Sequence, residues 1–168
     1  DIFGFTPTAV VSAVTPSIGG MVDISTIYQP DTPLQHGFVE WNFDPTAISS
    51  GSGSAAVSGT IYIIKITSCT GGIIKNVVAT VGSGTAPALT SDQNYVGIYS
   101  NSGAQLATTA DQTTAWATTG LKIMALTSEI TIQAGQDYFV ALVSNGSTLP
   151  SFVASAGAST TTANANLA

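Results

Sequence analysis

Ile61-Tyr62-Ile63-Ile64-Lys65-Ile66-Thr67 runs through Ser68-Cys69 into Thr70-Gly71-Gly72 and out again as Ile73-Ile74-Lys75-Asn76-Val77-Val78-Ala79-Thr80-Val81. Both runs are dense in β-branched side chains, which lose rotamer freedom in a helix and pack well on a pleated surface. Each is of strand length, and the Thr-Gly-Gly between them is a turn signal. This stretch predicts two strands, residues 57–67 and 73–81, and it sets the pattern for the rest of the chain.

Further strands are expected downstream at residues 95–99, 105–109, 121–126, 129–132, 138–144 and 151–154. They are separated by Gly82-Ser83-Gly84, Asn101-Ser102-Gly103, Ala134-Gly135-Gln136 and Asn145-Gly146. Upstream, strands are expected at 21–28 and 34–43, with the prolines of Gln29-Pro30-Asp31-Thr32-Pro33 turning the chain between them. Residues 110–117 have room for one helical turn and no more. Many short strands at near-even spacing indicate an all-β fold, an antiparallel β-sandwich of jelly-roll type. Residues 1–30 read as an N-terminal arm or first strand, 31–155 as the sandwich, and 156–168 as a low-complexity C-terminal tail. Ser49-Ser50-Gly51-Ser52-Gly53-Ser54 reads as a loop inside one domain, because 48 residues are few for a separate one.

A strand with one wet face alternates apolar and polar residues. Three strands here do not. Ile61 and Ile63 oppose Tyr62, Ile64 and Ile66. Phe139, Ala141 and Val143 oppose Tyr138, Val140 and Leu142. Tyr95, Gly97 and Tyr99 oppose Val96 and Ile98. One face of each belongs in the core, and the other must meet a further surface, which predicts a homo-oligomer.

Composition narrows the function. Of 168 residues, 44% are hydrophobic and only 7% charged, so solubility rests on Ser, Thr, Asn and Gln. A neutral, hydroxyl-rich surface is common in proteins that work outside cells. The net charge is −6, and the basic residues are Lys65, Lys75 and Lys122 alone. Three scattered lysines cannot neutralise a run of phosphates or hold a polybasic membrane contact, which sets aside nucleic acid and the membrane surface. No stretch approaches the ~20 apolar residues of a helical membrane span.

Chemistry finds few candidates. His36 is the single histidine and Cys69 the single cysteine. No nucleophile elbow, P-loop or dinucleotide fingerprint occurs. His36 reads as a structural or surface residue, and Cys69 as a small buried apolar one. Glu40 and Asp44 are the nearest carboxylates on one expected strand, but four residues of extended chain hold them about 13 Å apart, beyond the separation of glycosidase pairs. Asp31, Asp92, Asp111 and Asp137 lack the spacing of a calcium loop and read as turn residues. The expectation is a non-enzymatic protein with no metal and no cofactor. Aromatic rings remain as binding candidates, since a flat ring stacks on the apolar face of a sugar. Tyr95 and Tyr99 share a strand face across Gly97, which would leave an open platform between them, and Trp116 lies among Ala and Thr in an expected loop. Trp41 reads as core, and Asn145-Gly146-Ser147, though it has the form of a glycosylation acceptor, reads as a turn.

Phe38-Val39-Glu40-Trp41-Asn42-Phe43-Asp44-Pro45, Ser58-Gly59-Thr60-Ile61-Tyr62 and Asn94-Tyr95-Val96-Gly97-Ile98-Tyr99 with Ser102-Gly103 form a recognisable series. It continues through Ala110-Asp111-Gln112, Trp116, Thr119-Gly120-Leu121-Lys122, Ala134-Gly135-Gln136-Asp137-Tyr138-Phe139-Val140-Ala141-Leu142 and Asn145-Gly146-Ser147-Thr148-Leu149-Pro150. Across residues 34–153 this resembles a β-sandwich module of minor tail proteins from phages that infect actinobacteria. The likeness lies in strand and turn residues. It implies an extracellular virion protein, tail-associated, often trimeric, among other virion proteins and in contact with host-surface carbohydrate. A structural protein of the capsid, a decoration or head-fibre subunit, is the alternative expectation.

Overall fold

A computed structural model describes residues 32–42, 54–82, 86–153 and 166–167. The expected strand at 21–28 and the loop at 49–53 lie outside them. The described chain is all-β, and its strand pairings are antiparallel.

The quoted stretch becomes β3 (Ile61–Thr67) and β4 (Gly72–Val81), but the two do not pair with each other. The turn between them carries the chain from one sheet to another. In the first sheet β4 is central. Along one side runs β8 (Gly120–Ile132), and along the other lie β12 (Asn166–Leu167) and β11 (Ser151–Phe152), with β1 (Glu40–Trp41) beyond β12 and β2 (Ser54–Ala55) beyond β11. The second sheet has the order β3, β9 (Asp137–Val143), β6 (Tyr95–Ser100), β7 (Gln105–Thr108). A short pair joins β5 (Ala88–Leu89) to β10 (Gly146–Thr148). In this last pair Gly146 is required, because a Cβ there would run into the carbonyl oxygen of Ala88.

One core is shared by both sheets. Ile64, Ile66, Val96, Ile98, Tyr138, Val140 and Leu142 come from the second, and Ile74, Val77, Val81, Met124, Ile132 and Phe152 from the first. This is the inward half of the two-faced pattern read from the sequence.

Two expectations need correction. Residues 34–43 are not one strand. Pro33 starts a 3₁₀ turn over Pro33–His36, Gln35 Oε1 accepts the Thr32 N–H at 3.1 Å, and Gly37 ends the turn at φ 78°. A fixed proline φ and a left-handed glycine break the extended run, leaving Glu40–Trp41 as its β part among the described residues. Residues 121–126 and 129–132 are not two strands but one, β8. The apparent break marks where β8 leaves its register with β4, between Ile74↔Ile130 and Asn76↔Ala125. There it touches the other sheet instead: Leu126 bridges Thr109, and Thr127 Oγ1 donates to the Thr108 carbonyl at 2.9 Å. Within the tail, Asn166 and Leu167 pair with Val78 and Val77 of β4.

The single helical turn is present as α1 (Thr113–Trp116). Asn94, fully buried, fixes it. The Asn94 side-chain amide donates to the Thr90 carbonyl at 2.6 Å and to Thr113 Oγ1 at 2.8 Å, while its oxygen accepts the Asn145 N–H at 3.1 Å. Asp111 accepts the N–H groups of Asn94 and Thr113 at 3.0 and 3.2 Å. Partial burial works against the Asp111 charge, but hydrogen bonds from Thr113, Asn94 and Asp92 outweigh it and hold its pKa below the ordinary 3.8. Asp137 is lowered too, first by its hydrogen bond from Lys65 and then by that from Thr67.

The sign follows by linkage. Both folded pKa values are depressed, so their stabilisation is fully present above the ordinary value of 3.8 and is lost as pH falls through the folded values. Thermal unfolding midpoints should therefore stay level from pH 7 to about 5 and decline as pH drops to about 4 and below. Asp111→Asn should flatten part of that decline. A midpoint that falls mainly between pH 7 and 5 would contradict this assignment.

Candidate contact face

The three strands that are apolar on both sides lie next to each other. Pairing places Ile61 beside Val143 and Val143 beside Tyr95. The next row is Ile63, Ala141 and Gly97, and the next Lys65, Phe139 and Tyr99. Since side chains alternate across a strand, all of these point away from the core. Ile61 and Ile63 are 60% and 66% exposed, and Tyr95, Tyr99, Phe139, Ala141 and Val143 are half-buried.

Gly97 does not leave an open gap between the tyrosines. The Tyr99 ring fills it: a Cβ on Gly97 would stand 2.8 Å from Tyr99 Cε2 and 3.2 Å from its hydroxyl. The missing side chain lets the far end of the Tyr99 ring pack over Gly97. Ile61, Ile63, Tyr99, Phe139 and Ala141 then line an open groove of about 440 Å³, closed at one end by Asn101 and Gly103 of the β6–β7 turn. At the end away from Tyr95, Lys65 and Asp137 form an ion pair at 2.8 Å, and Thr67 Oγ1 donates to Asp137 at 2.7 Å.

Trp116 does not belong to this face. It is wholly buried, edge-on to Phe152 with ring centroids 5.1 Å apart, and its Nε1–H points at the Met124 sulfur at 3.2 Å. A ring that no solvent reaches cannot stack on a sugar, so its candidacy for glycan binding is withdrawn. The helical turn expected over residues 110–117 is present as α1, but it rotates Trp116 inward, away from any sugar. Trp41 is half-buried and packs against His36 at 5.5 Å and Phe38 at 6.5 Å.

The chain matches no family of known proteins, and it matches no curated protein and no solved structure at a significant level.

The other residues weighed for chemistry sit elsewhere. His36 is exposed in the 3₁₀ turn. Cys69 is exposed in the β3–β4 turn, not buried as expected, because that turn points its backbone rather than its thiol inward. Glu40 is buried, and one of its oxygens is occupied by four donors, the Ser68 hydroxyl, the Cys69 N–H, and the Thr70 N–H and hydroxyl, at 2.7–3.2 Å. A carboxylate wrapped in this way holds a turn. Asp44 and Asp31 lie outside the described residues. Among the described residues no three His, Cys, Asp or Glu side chains converge as a metal-holding group, and no helix is long and apolar enough to cross a membrane.

Proposed function

We propose that the chain is a non-enzymatic module of a phage virion, a jelly-roll β-sandwich at the tail tip or fibre that contacts a host cell-wall glycan. The observation that carries this is the pair Tyr95 and Tyr99, set on an outward sheet face with the Tyr99 ring packed over Gly97. A flat aromatic surface suits the apolar side of a pyranose, and Asn101 at the groove end supplies a polar group for hydroxyls. The resemblance of residues 34–153 to actinobacteriophage minor tail modules supports the virion setting, and the low charge suits neutral carbohydrate better than phosphate or membrane.

The test is adsorption of fluorescently labelled protein to intact actinobacterial cells and to unrelated bacteria. Saturable binding to a few strains, competed by their isolated cell-wall glycan, is expected. Tyr95→Ala with Tyr99→Ala should weaken it by about tenfold or more, the equivalent of ~1.4 kcal/mol or above. Unchanged adsorption by the folded double variant would remove the tyrosine face from the proposal.

One observation favours a second reading. Ile61 and Ile63, on the same face, are more exposed than the tyrosines and offer nothing to a sugar hydroxyl. They suit a structural role, as a capsid decoration or head-fibre subunit in contact with protein neighbours. Antibody labelling of intact virions separates the two, since signal confined to the tail excludes the head.

A further inference from the structure

We infer that β3 is a self-pairing edge, and that two copies of the chain join β3 to β3 across a two-fold axis into one continuous sheet. This goes beyond the glycan reading and does not depend on it.

Among the described residues β3 pairs only with β9, so it ends its sheet. The direction of its free hydrogen-bonding groups follows from the register. The Ser68 N–H donates to the Gln136 carbonyl at 2.9 Å, continuing the series in which Thr67 stands opposite Asp137. Antiparallel pairs alternate, so Ser68, Ile66, Ile64 and Tyr62 turn their main-chain groups toward β9, and Ile61, Ile63, Lys65 and Thr67 turn theirs away. The opposite end of the sheet agrees: the Thr109 N–H donates to the Val96 carbonyl at 2.9 Å, which leaves Tyr95, Gly97 and Tyr99 to bond β9.

Natural edges are blunted by proline, by bulges, by shortness or by charge. β3 has seven residues, no proline and no register shift. Its one charge, Lys65, is bridged by Asp137 of the same chain. The sequence Ile61-Tyr62-Ile63-Ile64-Lys65-Ile66-Thr67 is of the kind that pairs strongly when exposed.

The occupant that fits is a second copy. Placing Ile64 opposite Ile64 of that copy uses the whole strand. Ile61 then faces Thr67, and Ile63 faces Lys65, each across the axis. The two lysines are never directly opposed. All positions with free main-chain groups meet their like, for about eight hydrogen bonds at two per pair. Seven residues at about 3.4 Å give a contact roughly 24 Å long and one strand wide, which buries less than the ~1,600 Å² of a standard interface. The pairing is therefore at the weak, transient end of the range, and it tightens where copies are held close together, as on a particle surface.

Sedimentation equilibrium of the full chain over about 1–300 μM tests this, with cell adsorption playing no part in the readout. Wild type should rise from 16.9 kDa toward twice that mass. Ile63→Lys sets a lysine against Lys65 of the other copy and should weaken the dimer by tenfold or more. Ile63→Glu sets a carboxylate there and should keep or strengthen it. The side chain is 66% exposed, so both variants should melt as wild type does. A mass that stays monomeric throughout, or that reaches a trimer, overturns the inference. So does equal weakening by Lys and Glu, which is what burial of Ile63 in a face-to-face contact gives.

Discussion

Replacing Trp116 by alanine is expected to lower the thermal unfolding midpoint by roughly 6–20 °C, while leaving any cell adsorption of the folded protein unchanged. The magnitude comes from burial. Trp116 is 0% exposed and stands at the centre of the core shared by both sheets. Truncating a buried aromatic costs about 3–5 kcal/mol, and for a chain of this size each kcal/mol is worth roughly 2–4 °C. The cavity would open beneath Phe152 and Met124, both of which rest on the ring. Trp116→Phe should recover more than half of the loss, because it restores most of the volume and gives up only the weak Nε1–H contact to sulfur. Thermal denaturation followed by circular dichroism measures the shift. A change below about 1 kcal/mol for the alanine variant would mean that the ring is not in the core.

The contrast with Tyr95 and Tyr99 shows what the sequence made legible. All three rings were candidates on composition. The two tyrosines were placed correctly on one outward face because period-2 alternation is a local property, readable from Tyr95-Val96-Gly97-Ile98-Tyr99 alone. Which strands stand beside that one is not local. That β3, β9 and β6 are neighbours, and so merge three two-faced strands into a single face, depends on pairings between residues as far apart as Ile61 and Val143. Trp116 was misplaced for a related reason. Its neighbours Ala115 and Ala117 look like loop, but Asn94 and Asp111, some twenty and five residues away, hold a helical turn that swings the ring inward. The signal that could have found it was Asp111-Gln112-Thr113, an acceptor side chain just ahead of a short helix.

Strand existence was readable almost throughout, from 57–81 through 138–144, because β-branched density and glycine punctuation are strong here. Partner choice was not. β3 and β4 look like a hairpin joined by Thr70-Gly71-Gly72, yet they lie in different sheets. The reason lies in the turn itself. Instead of closing a ladder between its two strands, it closes on a side chain from elsewhere, Glu40.

That side chain carries the second large effect. Glu40→Ala should destabilise the protein by about 3–4 kcal/mol, and Glu40→Gln by about half as much. The Glu40 carboxylate arrives from β1, 28–30 residues upstream, and one oxygen takes the Cys69 N–H at 2.7 Å, the Thr70 N–H at 2.9 Å and both the Ser68 and Thr70 hydroxyls. Hydrogen bonds to a charged acceptor contribute about 1.5–3 kcal/mol, and a buried donor left unpaired costs about 1–3. Alanine orphans the two amides together, and the sum stays below simple addition because the turn relaxes toward water. Glutamine keeps an acceptor oxygen but loses the charge. The local readout is amide hydrogen exchange. Cys69 and Thr70 should exchange far faster in Glu40→Ala, with Gly71 following, since its N–H rests on the Ser68 hydroxyl that Glu40 holds. The Val140 and Val96 amides, in the middle of the other sheet, should change only by the drop in global stability. If Cys69 and Thr70 keep their protection while the midpoint falls, Glu40 acts through packing of β1 rather than through the turn. If both move together, a single carboxylate fixes the crossing of β3 into β4, and with it the position of the outward face that β3 helps to build.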